Sequence, residues 1–250
     1  MNSTAKKFLN EFLFAAAFIA AVFVIWFVVF LSVNNDMLAP SPWSVIALTF
    51  TLLGTGETYL ALLSTLLRAV IAFICSMLIA FGISLLVGVL PSAKKTADRC
   101  VTLFRALPTM SVILVTLILF PSSFVPVIVA FLVAFPIIYS AFTREIYAEA
   151  RLLDVCVSYG VTAANKTRYV LLPCVKRAVA PQVSDTLPLC IKVVIAGEAL
   201  ALPGYGLGKQ MYVGKVNLDT AKVLAVTVLA LAVCFIIQGA VALCRKIKAK

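Results

Sequence analysis

The sequence predicts an all-α membrane protein with about six transmembrane helices. Hydrophobic residues make up 63% of the 250 positions and charged residues 12%, against roughly 45–50% and 25% in an average soluble domain. Long uncharged stretches alternate with short basic ones. Because a spanning helix needs roughly 20 apolar residues, the length allows several spans and little else, so we expect a single transmembrane domain over residues 1–250.

The first predicted span is residues 12–33, which carry no charge. This run is longer than the roughly 7–15 apolar residues of a signal-peptide core, so we expect a retained span and not a cleaved leader. The mixed stretch that follows, residues 34–57, contains Pro40, Pro42 and two glycines. We predict a loop or an interfacial segment there.

Five further spans are expected from the remaining apolar runs. Residues 69–90 give the second, and residues 106–143 are too long for one helix, so two short helices with a turn at 121–123 are predicted there. Residues 178–202 give a weaker fifth span because three charges interrupt them. Residues 223–244 give the sixth.

The charge distribution indicates the orientation. The chain has 21 Lys and Arg against 10 Asp and Glu, a formal net charge of +11. Six spans place most of the basic residues on the same side as both termini. Because basic residues collect in short cytoplasmic loops, we expect a multi-pass protein of the inner (cytoplasmic) membrane with both termini in the cytoplasm. A nucleic-acid partner is not needed to explain the charge.

Several kinds of chemistry are disfavoured by the composition. The chain has no histidine, which excludes imidazole metal sites and histidine acid–base catalysis. Its seven cysteines lack Cys-x-x-Cys spacing and are expected to be free thiols. Residues 204–209 look like part of a phosphate-binding loop, but Pro203 replaces the first glycine and Gln210 replaces the Ser or Thr. We therefore expect neither an enzyme nor a metal or nucleotide site in this chain.

The largest predicted element outside the membrane is the polar segment 144–177. Residues 149–158 are expected to form a helix that ends at Gly160, where a positive φ would make the turn. A second short helix is expected over residues 162–170. The result would be a compact helix–turn–helix on the cytoplasmic side, a shape suited to a cleft in a soluble partner.

This segment resembles the EAA loop of ABC importer permeases. In that loop a glycine follows an acidic residue by six positions, and a proline follows thirteen later; Asp154, Gly160 and Pro173 lie at those intervals. Val155 and Cys156 replace the two alanines of the family pattern, and Asp154 replaces its glutamate. The small apolar character of the pattern is kept.

Three other segments resemble permeases for taurine, alkanesulfonates, nitrate and thiamine precursors. They are residues 106–110 (Ala-Leu-Pro-Thr-Met) at the third span, Glu198 followed by residues 204–208 (Gly-Tyr-Gly-Leu-Gly), and residues 219–222 (Asp-Thr-Ala-Lys) before the sixth span. The resemblance covers roughly residues 60–244, in the same order as in the family.

The resemblance implies the permease subunit of an ATP-driven importer that moves a small solute by alternating access. ATP and Mg would be bound by a separate ATP-binding subunit, and this chain would hold no cofactor. The implied partners also include a second permease copy (a homodimer), an extracytoplasmic substrate-binding protein and membrane lipid. The residues implied to couple to the ATP-binding subunit are Asp154, Val155, Cys156, Gly160, Val161, Thr162, Ala163 and Pro173.

Charges inside the fifth span suggest a translocation path. Such groups are costly unless they are paired or face a cavity. Asp185 and Lys192 lie two helical turns apart and so share one face, and we predict that they and Glu198 line the path, Asp185 foremost. Snorkelling or a structural pair is the alternative for Lys192 and Glu198. Arg68 is predicted as an interfacial anchor. The alternative function is a self-sufficient ion-coupled secondary transporter or channel with Asp185 as its ion site.

Overall fold

A computed structural model describes the backbone of residues 3–33 and 35–248, and their side chains except those of 3–12, 15, 19, 150 and 244–248. Every regular element in this part of the chain is helical, which confirms the predicted all-α class. The α-helices are α1 (Ser3–Val33), α2 (Pro42–Leu53), α3 (Gly56–Val89), α4 (Lys94–Ala106), α5 (Thr109–Leu119), α6 (Val125–Ala148), α7 (Ala150–Ser158), α8 (Ala163–Lys166), α9 (Leu172–Ala201), α10 (Leu207–Val216) and α11 (Thr220–Lys248). A 3₁₀ turn (Pro91–Ala93) precedes α4, and a π-helical segment (Thr167–Leu171) joins α8 to α9.

Four helices of the described chain are long and apolar enough to cross a membrane. They comprise Ala16–Val33 within α1, all of α3, all of α6, and Thr220–Leu243 within α11. The segments Pro91–Ala106 and Thr109–Leu119 would together make a fifth span, although they meet at a bend of 88°. The chain is therefore a multi-pass membrane protein.

Each predicted span contains a helix, yet two of these helices do not resemble simple spans. The third predicted span contains only α5, which has 11 residues and is too short to cross alone. The fifth corresponds to α9, which has 30 residues but carries the expected interrupting charges. The number of six spans stays a prediction.

For residues 34–57 the loop alternative is wrong in the central part, because α2 occupies Pro42–Leu53, and the alternative of an interfacial segment stays a prediction. Ser41 caps this helix: its side chain accepts a hydrogen bond from the Ser44 N–H at 3.2 Å. Pro42 follows at the first helical position, where a missing N–H costs nothing. Serine followed by proline is a helix-start signal that the sequence reading passed over.

The described chain divides into two compact units. The first comprises residues 1–56 and 210–229. Within it, the Trp26 indole N–H donates to the Pro40 carbonyl at 3.3 Å, which holds the end of the loop after α1 against that helix. The turn before α11 is tight: the Asp219 N–H donates to the Gly214 carbonyl at 2.8 Å. A Cβ on Gly214 would come within 3.0 Å of Val223, so glycine is needed there.

The second unit comprises residues 57–209 and 230–250 and contains the main core. Helices α3, α6 and α9 bury many small side chains in this core, which lets the helices approach closely. A Cβ on Gly197 of α9 would lie 3.0 Å from the Pro126 backbone of α6, so these two helices touch there. The small buried residues include Ala69, Ala72, Ala80, Ala130, Ala134, Ala178 and Cys190.

The cysteines that the structure describes are free, as predicted. They are Cys75, Cys100, Cys156, Cys174, Cys190 and Cys234. The side chain of Cys244 lies outside the described part.

Candidate functional site

The predicted helix–turn–helix lies at residues 150–171, which we call the hairpin segment. Its first arm, α7, ends at Ser158, two residues before Gly160, whose φ is +60°. The Val161 N–H donates to the Cys156 carbonyl at 2.9 Å, and the Gly160 N–H donates to the Val157 carbonyl at 3.1 Å. This pair of bonds is a Schellman motif, which satisfies the last carbonyls of α7 and requires a left-handed residue at position 160.

Around its turn the hairpin segment exposes apolar side chains among charged ones such as Arg151 and Asp154. Leu153 and Cys156 of α7 are buried, three positions apart on the face toward the core. The residues around them point outward and are 40–82% exposed: Val155, Val157, Tyr159 and Val161. Of the residues predicted to couple to the ATP-binding subunit, Cys156 is buried and the others are exposed.

The second arm is helical but longer than predicted. The prediction of a short helix over residues 162–170 is wrong about its end, because the helix continues into α9. Thr162 caps α8, and the chain then stays helical through the π segment into α9. Pro173 has no N–H and its ring would clash with the carbonyl four residues back. The π turn, in which the Leu172 N–H bonds to the Thr167 carbonyl, widens the helix at this point and lets it pass the proline.

Ion pairs beside the hairpin segment join the end of α6 to α9. The Arg177 guanidinium donates to Glu149 at 3.0 Å and lies 3.8 Å from Glu145. The hydrogen bond to Glu149 raises the pKa of Arg177, which therefore keeps its charge. All three side chains are 40–54% exposed, so these pairs are accessible to water and to other charged groups.

At the opposite end of α9, Glu198 lies at the centre of a buried carboxylate network. Its side chain has no exposed area, and its Oε1 accepts from the Arg68 guanidinium of α3 at 2.6 Å. The Thr65 hydroxyl and the Gly208 N–H both donate to Oε2, at 2.8 and 3.1 Å. The Thr65 hydroxyl in turn accepts from the Leu207 N–H at 3.0 Å. The carboxylate thus fastens the first turn of α10 to α3.

Arg68 fixes the loop between α9 and α10 as well. Besides the ion pair, its guanidinium donates to the Tyr205 carbonyl at 2.8 Å. Its side chain is 13% exposed, so the prediction of an interfacial anchor is wrong. The physical reason is that Glu198 offers a full charge and a hydrogen-bond acceptor, which the interface would have supplied only through water.

Glycines make this close packing possible. A Cβ on Gly206 would lie 2.5 Å from the Glu198 carboxylate. A Cβ on Gly208 would overlap the Ile195 carbonyl and come within 2.7 Å of the Ala199 nitrogen. Within the Gly-Tyr-Gly-Leu-Gly run, Gly206 and Gly208 therefore allow close contact with a buried carboxylate.

The other two predicted path residues do not join this network. Asp185 and Lys192 are exposed on α9, as expected for residues that share one face. Neither forms an ion pair with any residue in the described part of the chain. A role in the translocation path stays a prediction for all three residues.

Comparison with known proteins gives one informative relative. The glycine betaine transport system permease protein OpuAB of Bacillus subtilis (strain 168) is 24% identical to this chain over 178 residues. The chain is similar to a transport permease. The matched region covers 68% of this chain and 62% of the relative, so the chain spans less than two thirds of that protein's length. No protein-family model matches the chain.

The relative supports the permease class in general. Its named solute, glycine betaine, differs from the taurine and alkanesulfonate type that the sequence resembled. The similarity therefore does not support that narrower assignment.

The Arg68–Glu198 pair is the main feature that sequence reasoning missed. The two residues are 130 positions apart, so no local pattern links them. A usable signal existed, because each is an isolated charge in an apolar helix and the two have opposite signs. Unpaired intramembrane charges are expected to seek partners.

Proposed function

We propose that this chain is the transmembrane permease subunit of an ATP-driven (ABC-type) importer. The observation that carries the proposal is the hairpin segment, in which Asp154, Gly160 and Pro173 keep the spacing of the EAA loop and Gly160 has the left-handed conformation. The similarity to a transport-system permease supports the same class.

The hairpin segment is proposed to dock into a separate ATP-binding subunit. An exposed apolar tip at Val155, Val157, Tyr159 and Val161 is the kind of surface that a partner's cleft buries. The charged base around Arg177 would orient the contact. Because residues 203–210 do not match a phosphate-binding loop, ATP and Mg are assigned to that subunit and no catalysis to this chain.

The complete transporter is proposed to contain two permease copies and an extracytoplasmic substrate-binding protein, in the inner (cytoplasmic) membrane. Basic residues on one side of the predicted spans support cytoplasmic termini. Closure of the ATP-binding subunits would move the hairpin segments and open the translocation path alternately to the two sides of the membrane.

The solute is proposed to be small, and two classes are open: the sulfonate, nitrate or thiamine-precursor class of the sequence resemblance, and the betaine class named by the relative.

The first experiment is purification of the tagged chain from its native membrane in mild detergent, with identification of the proteins that accompany it. We expect an ATP-binding subunit at about a one-to-one ratio, together with ATP-dependent uptake after reconstitution. The co-purified binding protein would then be screened with glycine betaine and with a sulfonate. Recovery of the chain alone, with uptake driven by a proton gradient and abolished in Asp185→Asn, would favour the ion-coupled alternative.

The docking role is tested by Gly160→Trp. A Cβ at this position meets no other atom within 4 Å, so the indole would project from the tip without disturbing the core. We expect normal membrane insertion and loss of the ATP-binding subunit. Gly160→Ala is the matched control, since alanine has the same backbone strain at this φ of +60° but adds no bulk. Retention of the subunit and of transport in the Trp variant would contradict the docking proposal.

A further inference from the structure

A cavity of about 320 Å³ lies between α4 and the second half of α6, within the second unit. Three of its lining side chains are basic, Lys94, Arg105 and Arg144, and one is acidic, Asp98. It lies apart from the hairpin segment and from the carboxylate network. The cavity is open to the surroundings of the protein, because Arg105 and Arg144 are both exposed.

The single carboxylate of the cavity already has partners on both oxygens. Asp98 Oδ2 accepts from the Lys94 ammonium at 3.0 Å, and Oδ1 accepts from the Tyr139 hydroxyl at 2.9 Å. Lys94 also lies 4.7 Å from the centre of the Tyr147 ring. The lysine is therefore neutralised locally, and among the described side chains neither Arg105 nor Arg144 forms an ion pair with Asp98.

The two arginines retain their charge without a carboxylate. Arg105 donates only to neutral oxygens, the Pro136 carbonyl at 3.0 Å and the Ser140 hydroxyl at 2.5 Å. Arg144 forms no hydrogen bond or ion pair with any residue whose side chain the structure describes. Two guanidinium groups with free N–H donors thus face one cavity.

The hydroxyl groups of the cavity cannot supply the missing negative charge. The Thr102 hydroxyl donates to the Asp98 carbonyl at 2.7 Å, and the Ser140 hydroxyl donates to the Pro136 carbonyl at 2.9 Å. The charged donors that remain are those of the two guanidinium groups and the N–H groups of the Lys94 ammonium that do not bond to Asp98. These donors suit an anion with several oxygens, which planar guanidinium groups can bind through paired hydrogen bonds.

We propose that this cavity binds a phosphate-class oxyanion. Free inorganic phosphate and the headgroup of an anionic phospholipid share this chemistry. An adjoining groove beside α4 shares Asp98 and Thr102 with the cavity and adds Lys95 and Arg99, two positive charges, next to the exposed apolar side chain of Leu103. Basic pockets between membrane helices are known to suit lipid phosphates. The proposal does not depend on the transport function proposed above.

Two binding measurements on the full-length purified chain distinguish a lipid headgroup from free phosphate as the source of the bound oxyanion. In the first, the delipidated protein is titrated with phosphatidylglycerol or phosphatidylcholine, and bound lipid is counted by native mass spectrometry. In the second, the protein in detergent is titrated with inorganic phosphate by calorimetry, with chloride at matched ionic strength as the reference. Preferential binding of phosphatidylglycerol identifies a headgroup site, and binding of phosphate identifies a site for the free anion.

Arg144→Gln is the decisive variant. Because the side chain is exposed and unpaired among the described residues, its loss leaves the fold intact, and we expect about tenfold weaker binding of whichever probe binds. Arg151→Gln removes the same charge from α7, away from the cavity, and is expected to bind like the wild type. Arg105→Lys keeps the charge but removes the planar fork, and it should also weaken binding.

The proposal is overturned by either of two results. One is that Arg144→Gln binds each probe, the lipid and the phosphate, as tightly as the wild type does. The other is an equal loss in Arg151→Gln, which would show attraction by overall charge and not a site.

Discussion

The two ends of α9 hold charge in opposite ways. Near its start, Arg177 pairs with Glu149 and Glu145 in a group whose side chains are 40–54% exposed. Near its end, Glu198 is fully enclosed and pairs with Arg68, which is 13% exposed. Water screens the first group and is excluded from most of the second.

Because of this difference, the exposed ion pairs near the start of α9 can exchange partners, whereas the buried pair near its end cannot. An exposed pair loses little when its geometry changes, whereas a buried charge left without its partner is strongly unfavourable. The hairpin end of α9 is therefore suited to binding another protein. The Glu198 end is suited to fixing α3, α9 and the start of α10 in one arrangement.

The largest expected effects are in the carboxylate network, and the first of them is at Gly208. In Gly208→Ala the new Cβ would overlap the Ile195 carbonyl, and backbone cannot move aside as a flexible side chain can. We expect a loss of about 3 kcal/mol or more in the free energy of unfolding, measured by thermal unfolding in detergent. Gly204→Ala is the control, since a Cβ there meets nothing within 4 Å. Equal stability of the two variants would contradict the close packing described.

Removal of one partner of the buried pair comes next. Glu198→Gln leaves Arg68 charged and without its carboxylate, and we expect a loss of roughly 3–5 kcal/mol. The double variant Arg68→Gln/Glu198→Gln removes both charges and should recover a large part of that stability. A double-mutant cycle on thermal unfolding measures the coupling. Additive losses in the cycle would mean that the two side chains act independently.

A smaller effect is expected at the hairpin turn. Gly160→Ala places a Cβ on a residue with a φ of +60°, which costs roughly 1–2 kcal/mol. Gly160→Asn should cost less, because asparagine adopts this conformation more readily. Protease cleavage within residues 150–171 reports this local loss. If alanine and asparagine gave the same cleavage rate, the turn would not depend on its conformation.

The smallest effect is expected at the exposed pairs. Arg177→Gln should lower the thermal midpoint less than any change above, and 0.5 M salt should abolish the difference. Arg168→Gln, which removes a charge without an ion pair in the described structure, is the matched control. A large, salt-independent loss in Arg177→Gln would break the contrast between the two ends of α9.

Local features of this fold were predictable, and distant pairings were not. Apolar runs located the helices because hydrophobicity and span length are properties of contiguous sequence. The left-handed turn at Gly160 followed from a helix-forming stretch that ends at a glycine. The pairing of Arg68 with Glu198 depends on packing of α3 against the end of α9, which no short window contains.

Two errors came from reading prolines only as helix breakers. Pro42 begins α2 instead of interrupting a helix. Pro173 lies inside a continuous helix because the preceding turn is wider than α-helical. The basic cavity beside α4 was also missed, since its residues come from two separate helices and only their packing brings them together.

Because α8, the π-helical segment and α9 follow one another without a loop, the second unit contains one long continuous helix. The chain is helical from Ala163 to Ala201, about 40 residues or about 60 Å of rod. One end lies at the hairpin turn and the other is tied to Arg68, and in a straight rod of this length a tilt of a few degrees at the first would move the second by several ångströms. Pro181 and Pro188, which each remove one hydrogen bond inside α9, are the places where such a tilt can be absorbed.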